Sequence, residues 1–320
     1  MVKTTGVFHF RLGGIIVKRY LTTPIYYASG TPHLGHVYTM FLADCARRTT
    51  RMAGDETRLV TGTDEHGQKI ERAAALAGAT PGAFVGERSA AFRELWEGLG
   101  IDVSFVRTTD PAHKAVVTDF WQRLCAAGDI YKRHYTGRYC VDCEQYFTGD
   151  VGECPVHARA LEHYAEDSYF FRLSRYRDRL IGHIEANPDF VRPETRRNEV
   201  LAFLRAQDLT DLSVSRTSTR WGIEVPGDPE HVLYVWVDAR VSYLSALGPL
   251  DAQESAAWWA GAHHFIGKDI LIFHAVVWPA MLLAAGLPLP NAIVVNGWLT
   301  VTGRKIAKSD PSTVFDRRTK

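Results

Sequence analysis

Arg58-Leu59-Val60-Thr61, running into Gly62-Thr63-Asp64-Glu65-His66-Gly67, is the stretch whose reading decides the fold. A short apolar run of strand length enters a polar turn bounded by glycines. Helical spacing then continues through Ile70 and Ala73 to Ala77, stopped by Gly78 and Pro81. A further helix is expected from Ala83 to Leu99, its apolar face carrying Phe84, Phe92, Leu95, Trp96 and Leu99. The same order occurs upstream. Ile15, Ile16, Val17, Tyr20 and Leu21 form an extended run, Pro32-His33-Leu34-Gly35-His36 a turn, and residues 37–47 a helix. Strand, polar turn and helix repeated in this way predict an α/β fold with a doubly wound parallel sheet. Ligands bind such sheets beyond the carboxyl ends of the strands, where the His33 turn and the Asp64 turn both fall.

From Asp119 the pattern changes. A helix to Ala127 leads into aromatic pieces around Tyr131, Tyr135 and Tyr139, a cysteine cluster, and Tyr169-Phe170-Phe171. This reads as an insertion ending near Gly227. The α/β pattern then resumes, with Val232-Leu233-Tyr234-Val235-Trp236-Val237 expected as a buried strand and a helix from Arg240. Phe265-Ile266 and Ile293-Val294-Val295 are expected as strands, separated by a helix over residues 270–285. The division expected is 1–118 and 228–320 as two halves of one Rossmann-type domain, with 119–227 inserted between them.

A chain of 320 residues has room for a substantial core and a large insertion. A net charge of +1 argues against a broad nucleic-acid-coating surface, so no DNA partner is expected, though a local basic patch remains compatible. No stretch approaches the ~20 apolar residues of a membrane span. The most apolar one, residues 270–287, carries His274 and Pro279. The first residues lack a secretory signal, and five cysteines do not suggest a secreted disulfide scaffold, so a cytoplasmic protein without a membrane partner is expected.

Cys140-x-x-Cys143, ten intervening residues and Cys154-x-x-His157 have the spacing of a tetrahedral zinc knuckle, with Pro155 stiffening the second turn. Four protein ligands leave no open position, so the ion is expected to be structural. Cys45 and Cys125 read as buried core thiols.

At the His33 turn, backbone N–H groups and the dipole of the following helix favour phosphate, and Gly35 lets a flat base approach the backbone. Near the other end, Lys305-Ile306-Ala307-Lys308-Ser309 places two lysines on a loop marked by Gly303, able to reach over a polyphosphate. Taken singly, these are a surface histidine pair and a solvated basic loop. Together on an open α/β sheet they read as two halves of an ATP-handling site.

With these motifs in order, the chain resembles the catalytic region of class I aminoacyl-tRNA synthetases, most closely the methionyl-tRNA synthetase branch. The resemblance covers residues 20–309. Its further blocks are Thr23-Pro24-Ile25-Tyr26-Tyr27, Arg196-Arg197-Asn198-Glu199-Val200, Trp236-Val237-Asp238-Ala239 and Phe265-Ile266-Gly267-Lys268-Asp269-Ile270. It implies a Rossmann-type sheet with an inserted zinc-knuckle domain, and a ligase that makes methionyl-adenylate from methionine and ATP and passes it to tRNA. ATP, Mg2+ and Zn2+ are the implied cofactors, and a tRNA acceptor stem the implied partner. Carried over to this sequence, His33, His36, Lys305, Lys308 and Arg216 would be catalytic. His33, Gly35, His36, Gly267, Asp269, Lys305 and Lys308 would bind ATP. Ile25, Tyr27, Asp64, Trp236, Ala239, Tyr243, Ile270, His274 and Trp278 would form the amino-acid pocket, and Cys140, Cys143, Cys154 and His157 would hold zinc. From the residues alone, Trp236 and Trp278 read first as core aromatics, Asp64 has a second reading as a helix cap, and Arg216 reads equally as a surface residue.

Three departures qualify the resemblance. Arg240 follows Asp238-Ala239 where relatives usually carry an apolar residue or threonine, and a guanidinium beside a thioether pocket is costly unless it reaches solvent or an acid. Ala307 replaces the usual serine of the lysine loop. The sequence stops at Lys320, short of the bundle that grips the anticodon in relatives, which reads either as a truncation, with a separate protein as one candidate source of that recognition, or as a free-standing paralogue with another acceptor. Two rival expectations follow: a free-standing paralogue activating another amino acid for a non-tRNA acceptor, and a catalytically weak regulatory or binding remnant.

Overall fold

The computed structural model describes residues 16–140, 145–147, 151–154, 159–206, 208–301 and 304–305. Seven strands form one sheet: β1 (Lys18–Thr22), β2 (Tyr26–Tyr27), β3 (Glu56–Asp64), β4 (Ser104–Arg107), β5 (Val191–Arg192), β6 (Ala262–Gly267) and β7 (Ala292–Asn296). Every pairing is parallel, in the order β4-β3-β1-β6-β7-β5. The short β2 runs on from β1 along β3, with Thr22 opposite Val60 and Tyr26 opposite Thr63. The chain winds one way from β1 to β3 and β4 and the other way to β6 and β7. The reversal between β1 and β6 opens a crevice at their carboxyl ends.

Side chains alternate across this sheet. Tyr20 and Val60 join a cluster with Phe120, Trp259 and Trp278, whereas their neighbours Leu21 and Leu59 join Met40, Phe92 and Trp96 on the other face. Both faces are therefore covered, as a parallel sheet requires. Helices α1 (Leu34–Met52), α3 (Pro81–Gly98) and α4 (Pro111–Ala126) supply much of that cover, while α2 (Gln68–Leu76) packs beside α3 in a smaller cluster. Gly62 lets β3 and β4 approach, since a Cβ there would lie 2.0 Å from the Val106 carbonyl oxygen.

Two expected elements are different in the structure. The run Val232–Val237 is not one strand: strand Asp228–Leu233 ends there, and helix α5 (Val235–Ser245) begins two residues later. The Tyr234 N–H donates to the Val214 carbonyl at 2.9 Å, while its own carbonyl accepts the first helical bonds from Val237 and Asp238. An unbroken apolar run carries neither period and fits both states. Strand Asp228–Leu233 also belongs to a separate three-stranded antiparallel sheet, with Ser215–Arg216 and Glu224–Val225.

The helix expected over residues 270–285 is three pieces: a 3-10 turn at Lys268–Ile270, a π turn at Phe273–Val277 and an α-helix at Trp278–Ala284. Pro279 has no N–H to give the carbonyl one turn back, and the wide turn before it absorbs the mismatch.

Between α4 and β6, strands Ile130–Cys140 and Glu162–Phe171 form a long hairpin within a four-stranded sheet completed by Gln145–Phe147 and Leu212–Ser213. Within the same stretch, β5 returns to the edge of the parallel sheet. Cys45 and Cys125 are exposed rather than buried, because each lies on the outer side of its helix.

Candidate functional site at the strand carboxyl ends

The turn after β2 begins α1, with extended His33 as its cap. The Gly35 N–H donates to His33 Nδ1 at 3.1 Å, and the His33 N–H donates to His36 Nδ1 at 3.2 Å. Both imidazoles accept at Nδ1, so in the neutral form each carries its proton on Nε2. The rings stack with centroids 3.6 Å apart. A Cβ on Gly35 would lie 2.9 Å from His33 Cε1, so the neighbour that requires glycine here is the His33 ring itself.

At the end of β3, Asp64 is buried, and the turn beyond it is held by charge. Glu65 takes both ends of the Arg107 fork, at 2.8 and 3.1 Å, and accepts from Thr63 and Thr109. His66 Nδ1 lies 2.6 Å from Asp238, whose other oxygen is 2.6 Å from His113 Nε2, and His113 Nδ1 reaches Ser245 Oγ at 2.7 Å. Burial pushes the Asp238 carboxyl up, but the His66 charge and hydrogen bonds from His113 and His66 outweigh it and leave it at about 2. Spacing does not reveal this relay, because His113 lies in α4 and stands in none of the recognisable blocks.

The expected amino-acid pocket gathers between α5 and the π turn. Trp236 stacks on Phe273 at 4.3 Å and meets Tyr27 edge-on. Phe273 is not among the residues the sequence marks for this pocket. Its signal was adjacency to His274 on a turn whose π geometry no periodicity reveals. His274 Nδ1 donates to the Ile270 carbonyl at 3.0 Å, which leaves Nε2 to accept from the Tyr243 hydroxyl at 2.9 Å. Burial, helped by the Arg240 charge, pushes His274 down to about 3, while burial pushes the Tyr243 hydroxyl up. Trp278 donates to His264 Nε2 at 3.2 Å, so His264 Nδ1 donates to Thr22 Oγ1. Ile25 and Ala239 are half-buried, on the β1–β2 link and on α5.

Among the described residues Arg240 forms no ion pair with an acid, and it does not reach solvent. It is 2% exposed, and its guanidinium carbon lies 4.9 Å from the Trp236 ring and 4.8 Å from the Phe273 ring. Desolvation pulls it down to about 10, against the opposing influence of Tyr243, Tyr234, Tyr27 and Asp64.

The expected nucleotide side is partly described. Gly267 ends β6, and the exposed Asp269 accepts a hydrogen bond from the Trp298 indole. The backbone of Lys305 lies in a small hairpin, Arg304–Lys305 against Thr300–Val301; Gly303 and Lys308 lie outside the described residues. Arg216 is buried rather than on the surface, donating at 2.7 Å to Ser213 Oγ and to the Ser215 carbonyl under the Tyr234 ring. Cys140 and Cys154 share a small buried cluster with Leu161, whereas Cys143 and His157 lie outside the described residues. Among the described residues no group of three or more metal-binding side chains forms, and no helix is long and apolar enough to cross a membrane.

Comparison with known proteins supplies a family. The chain is 46% identical to a methionine–tRNA ligase of Thermotoga maritima over 302 residues, covering 92% of this chain and 48% of the relative. It is 47% identical to that of Streptomyces coelicolor, covering 91% and 56%. It therefore spans about half the length of the curated relatives it matches. Its backbone also follows a structure of Mycobacterium tuberculosis methionyl-tRNA synthetase in complex with methionyl-adenylate, with a TM-score of 0.89, 42% identity, and 94% of this chain and 61% of that one covered. The family model described as tRNA synthetases class I (M) matches residues 19–163 and 156–319, taking in both arms of the parallel sheet and the lysine loop. A match running through every strand that frames the crevice leaves one family reading: this chain belongs to the class I tRNA synthetases of the (M) type.

Proposed function

We propose that the chain activates methionine with ATP, forming methionyl-adenylate, and transfers the methionyl group to the acceptor end of a tRNA. The observation that carries this reading is the fit, at TM-score 0.89 over 94% of the chain, to a synthetase in complex with methionyl-adenylate. In the first step a carboxylate oxygen of the amino acid forms a bond to the α-phosphorus. The bond to pyrophosphate breaks, and pyrophosphate leaves with the electron pair. Such a step depends mostly on positioning and charge stabilisation.

In this reading the Nε2–H groups of His33 and His36 donate to the phosphates as charge develops, beside the positive end of α1. Lys305 and Lys308 hold the pyrophosphate end, and Mg2+ enters with ATP as part of that substrate. Gly267 and Asp269 receive the ribose, and Arg216 supports the reacting groups. Asp64 holds the substrate ammonium, with Ile25, Tyr27, Trp236, Ala239, Tyr243, Ile270, His274 and Trp278 around the side chain. Buried aromatic walls suit a polarizable thioether.

The zinc reading remains part of the proposal. Two buried thiols, Cys140 and Cys154, already converge in one cluster, a donor set suited to zinc. With Cys143 and His157 they would hold a structural ion.

The test is methionine-dependent ATP–pyrophosphate exchange. His36→Ala and Lys305→Ala are each expected to lower it on the order of a hundredfold, the effect of losing one transition-state contact. Exchange at wild-type rate in both variants would remove these residues from the chemistry.

A further inference from the structure

His264 takes no part in the proposed chemistry, yet it touches two of the residues assigned to the amino-acid pocket. It is fully buried on β6, directly opposite Thr22 of β1. The Trp278 indole can only donate, and its Nε1–H meets His264 Nε2 at 3.2 Å. That contact fixes the tautomer. The ring proton sits on Nδ1 and goes to Thr22 Oγ1 at 2.6 Å. The same ring lies against Tyr243, with centroids 4.5 Å apart and planes 32° from parallel, and Trp259 closes another side at 5.8 Å.

Tyr243 is thus held at its hydroxyl by His274 and at its ring by His264, while the fully buried Trp278 is held through the N–H of its indole. A buried donor deprived of its acceptor is costly, so an indole without the Nε2 lone pair would turn from this position. Protonation would remove that lone pair too. Burial, with His274 and His263 nearby, pushes His264 well down and keeps the ring neutral. Three residues beyond His264, β6 ends at Gly267, and Asp269 follows. One strand therefore carries both the support of the amino-acid pocket and the residues expected to receive the ribose.

We infer that His264 is a positioning residue for amino-acid binding, acting through Trp278 and Tyr243: its neutral Nε2 holds the Trp278 indole and its ring seats Tyr243. The inference rests on the reading of this pocket as the methionine site of an adenylate-forming ligase. No bond to a reacting atom is assigned to His264. Its acceptor sets where two walls stand, and the walls grip the substrate side chain. Loss of the acceptor loosens methionine and leaves ATP binding unchanged.

The experiment compares His264→Gln with His264→Met in the full chain, by ATP–pyrophosphate exchange at varied methionine and varied ATP. A Gln side chain reaches the place of Nε2 and can accept from Trp278; a Met side chain has similar length but only a weak acceptor. His264→Met is expected to raise KM for methionine on the order of tenfold, with KM for ATP within about twofold of wild type. His264→Gln should stay within about threefold of wild type for both substrates. Thermal unfolding supplies the contrast with a merely structural role: the apolar Met variant should be at least as stable as the Gln variant, yet bind methionine worse. His264→Asn, whose amide reaches only the place of Nδ1, should behave like His264→Met and replaces it if that variant does not fold. Equal rises in KM for methionine in the Gln and Met variants, no rise in the Met variant, or an equal rise in KM for ATP would overturn the inference and leave the activation reading intact. Absence of methionine-dependent exchange in the wild type would overturn that reading and the inference with it.

Discussion

The carboxylate of Asp238 lies 2.6 Å from Nδ1 of His66, a contact between residues 172 positions apart that ties α5 to the turn following β3. Its other oxygen holds His113 at the same distance, so three elements meet on one buried charge. The turn that bears Asp64 is thereby fixed against the helix that bears Trp236 and Arg240.

Asp238→Asn is expected to destabilise the fold by about 3 kcal/mol, the scale for breaking a buried ion pair. The wild-type contribution has a defined pH window. The folded value of about 2 lies below the usual carboxylate value, so the unfolded chain binds the extra proton. The stabilisation is complete above about pH 4 and is lost as pH falls toward 2. Urea unfolding of both proteins at pH 3 and pH 7 checks this: the gap between them should narrow at the lower pH.

His274 titrates in a different window. Burial holds it neutral, at about 3, below the ordinary histidine value, so here too the unfolded chain takes up the proton first. Stability should fall as pH drops from about 6.5 toward 3, by up to about 1.4 kcal/mol per pH unit for this residue. His264, also pushed down by burial, acts in the same direction. Unfolding midpoints of His274→Gln, measured from pH 7 to pH 4.5, should be lower at neutral pH but flatter across the range.

Gly35→Ala places a methyl group against the His33 ring, 2.9 Å from Cε1. The ring must leave its cap position, and the stack on His36 opens. Exchange activity should fall about tenfold or more, as expected when a positioned charge-stabilising group moves by around an ångström. Circular dichroism should be unchanged, since alanine favours the helix. Unaltered exchange would show that the capped His33 geometry plays no part in the chemistry.

Cys154→Ser tests the zinc proposal through metal content. The wild-type protein is expected to carry about one zinc per chain. The variant should lose it and become protease-sensitive near residues 140–160, with the parallel sheet intact. Equal zinc in both proteins would dismiss the knuckle.

Four strands of the parallel sheet, β1, β3, β6 and β7, were legible because their apolar runs are bounded by polar turns and the helices after β1 and β3 keep a clean period. Strands β2, β4 and β5 were not expected, being too short for a pattern to show. The two misread segments share a cause. Val232–Val237 is apolar throughout, so only the Tyr234 backbone contacts decide where strand gives way to helix. The residues from Ile270 onward are apolar too, and Pro279 signalled a disturbance without revealing a π turn. Arg240 stood out in sequence as an oddity, but not as a buried group, since burial depends on Phe273 and Tyr27 arriving from elsewhere. His113 left no local trace because its partner lies 125 positions away.

The central position of β1 has a consequence for synthesis. One of its edges pairs with β3, fewer than fifty residues later, but the other waits for Ala262, His263 and His264. On the ribosome, β1, β3 and β4 can assemble while β1 still presents an open hydrogen-bonding edge. Residues 108–261 must then be translated before β6 closes it. Unpaired parallel edges invite pairing with other chains. Truncated products ending before β6 should therefore be sticky clients of chaperones, and slowed translation ahead of Ala262 should lower soluble yield more than the same delay placed after β7.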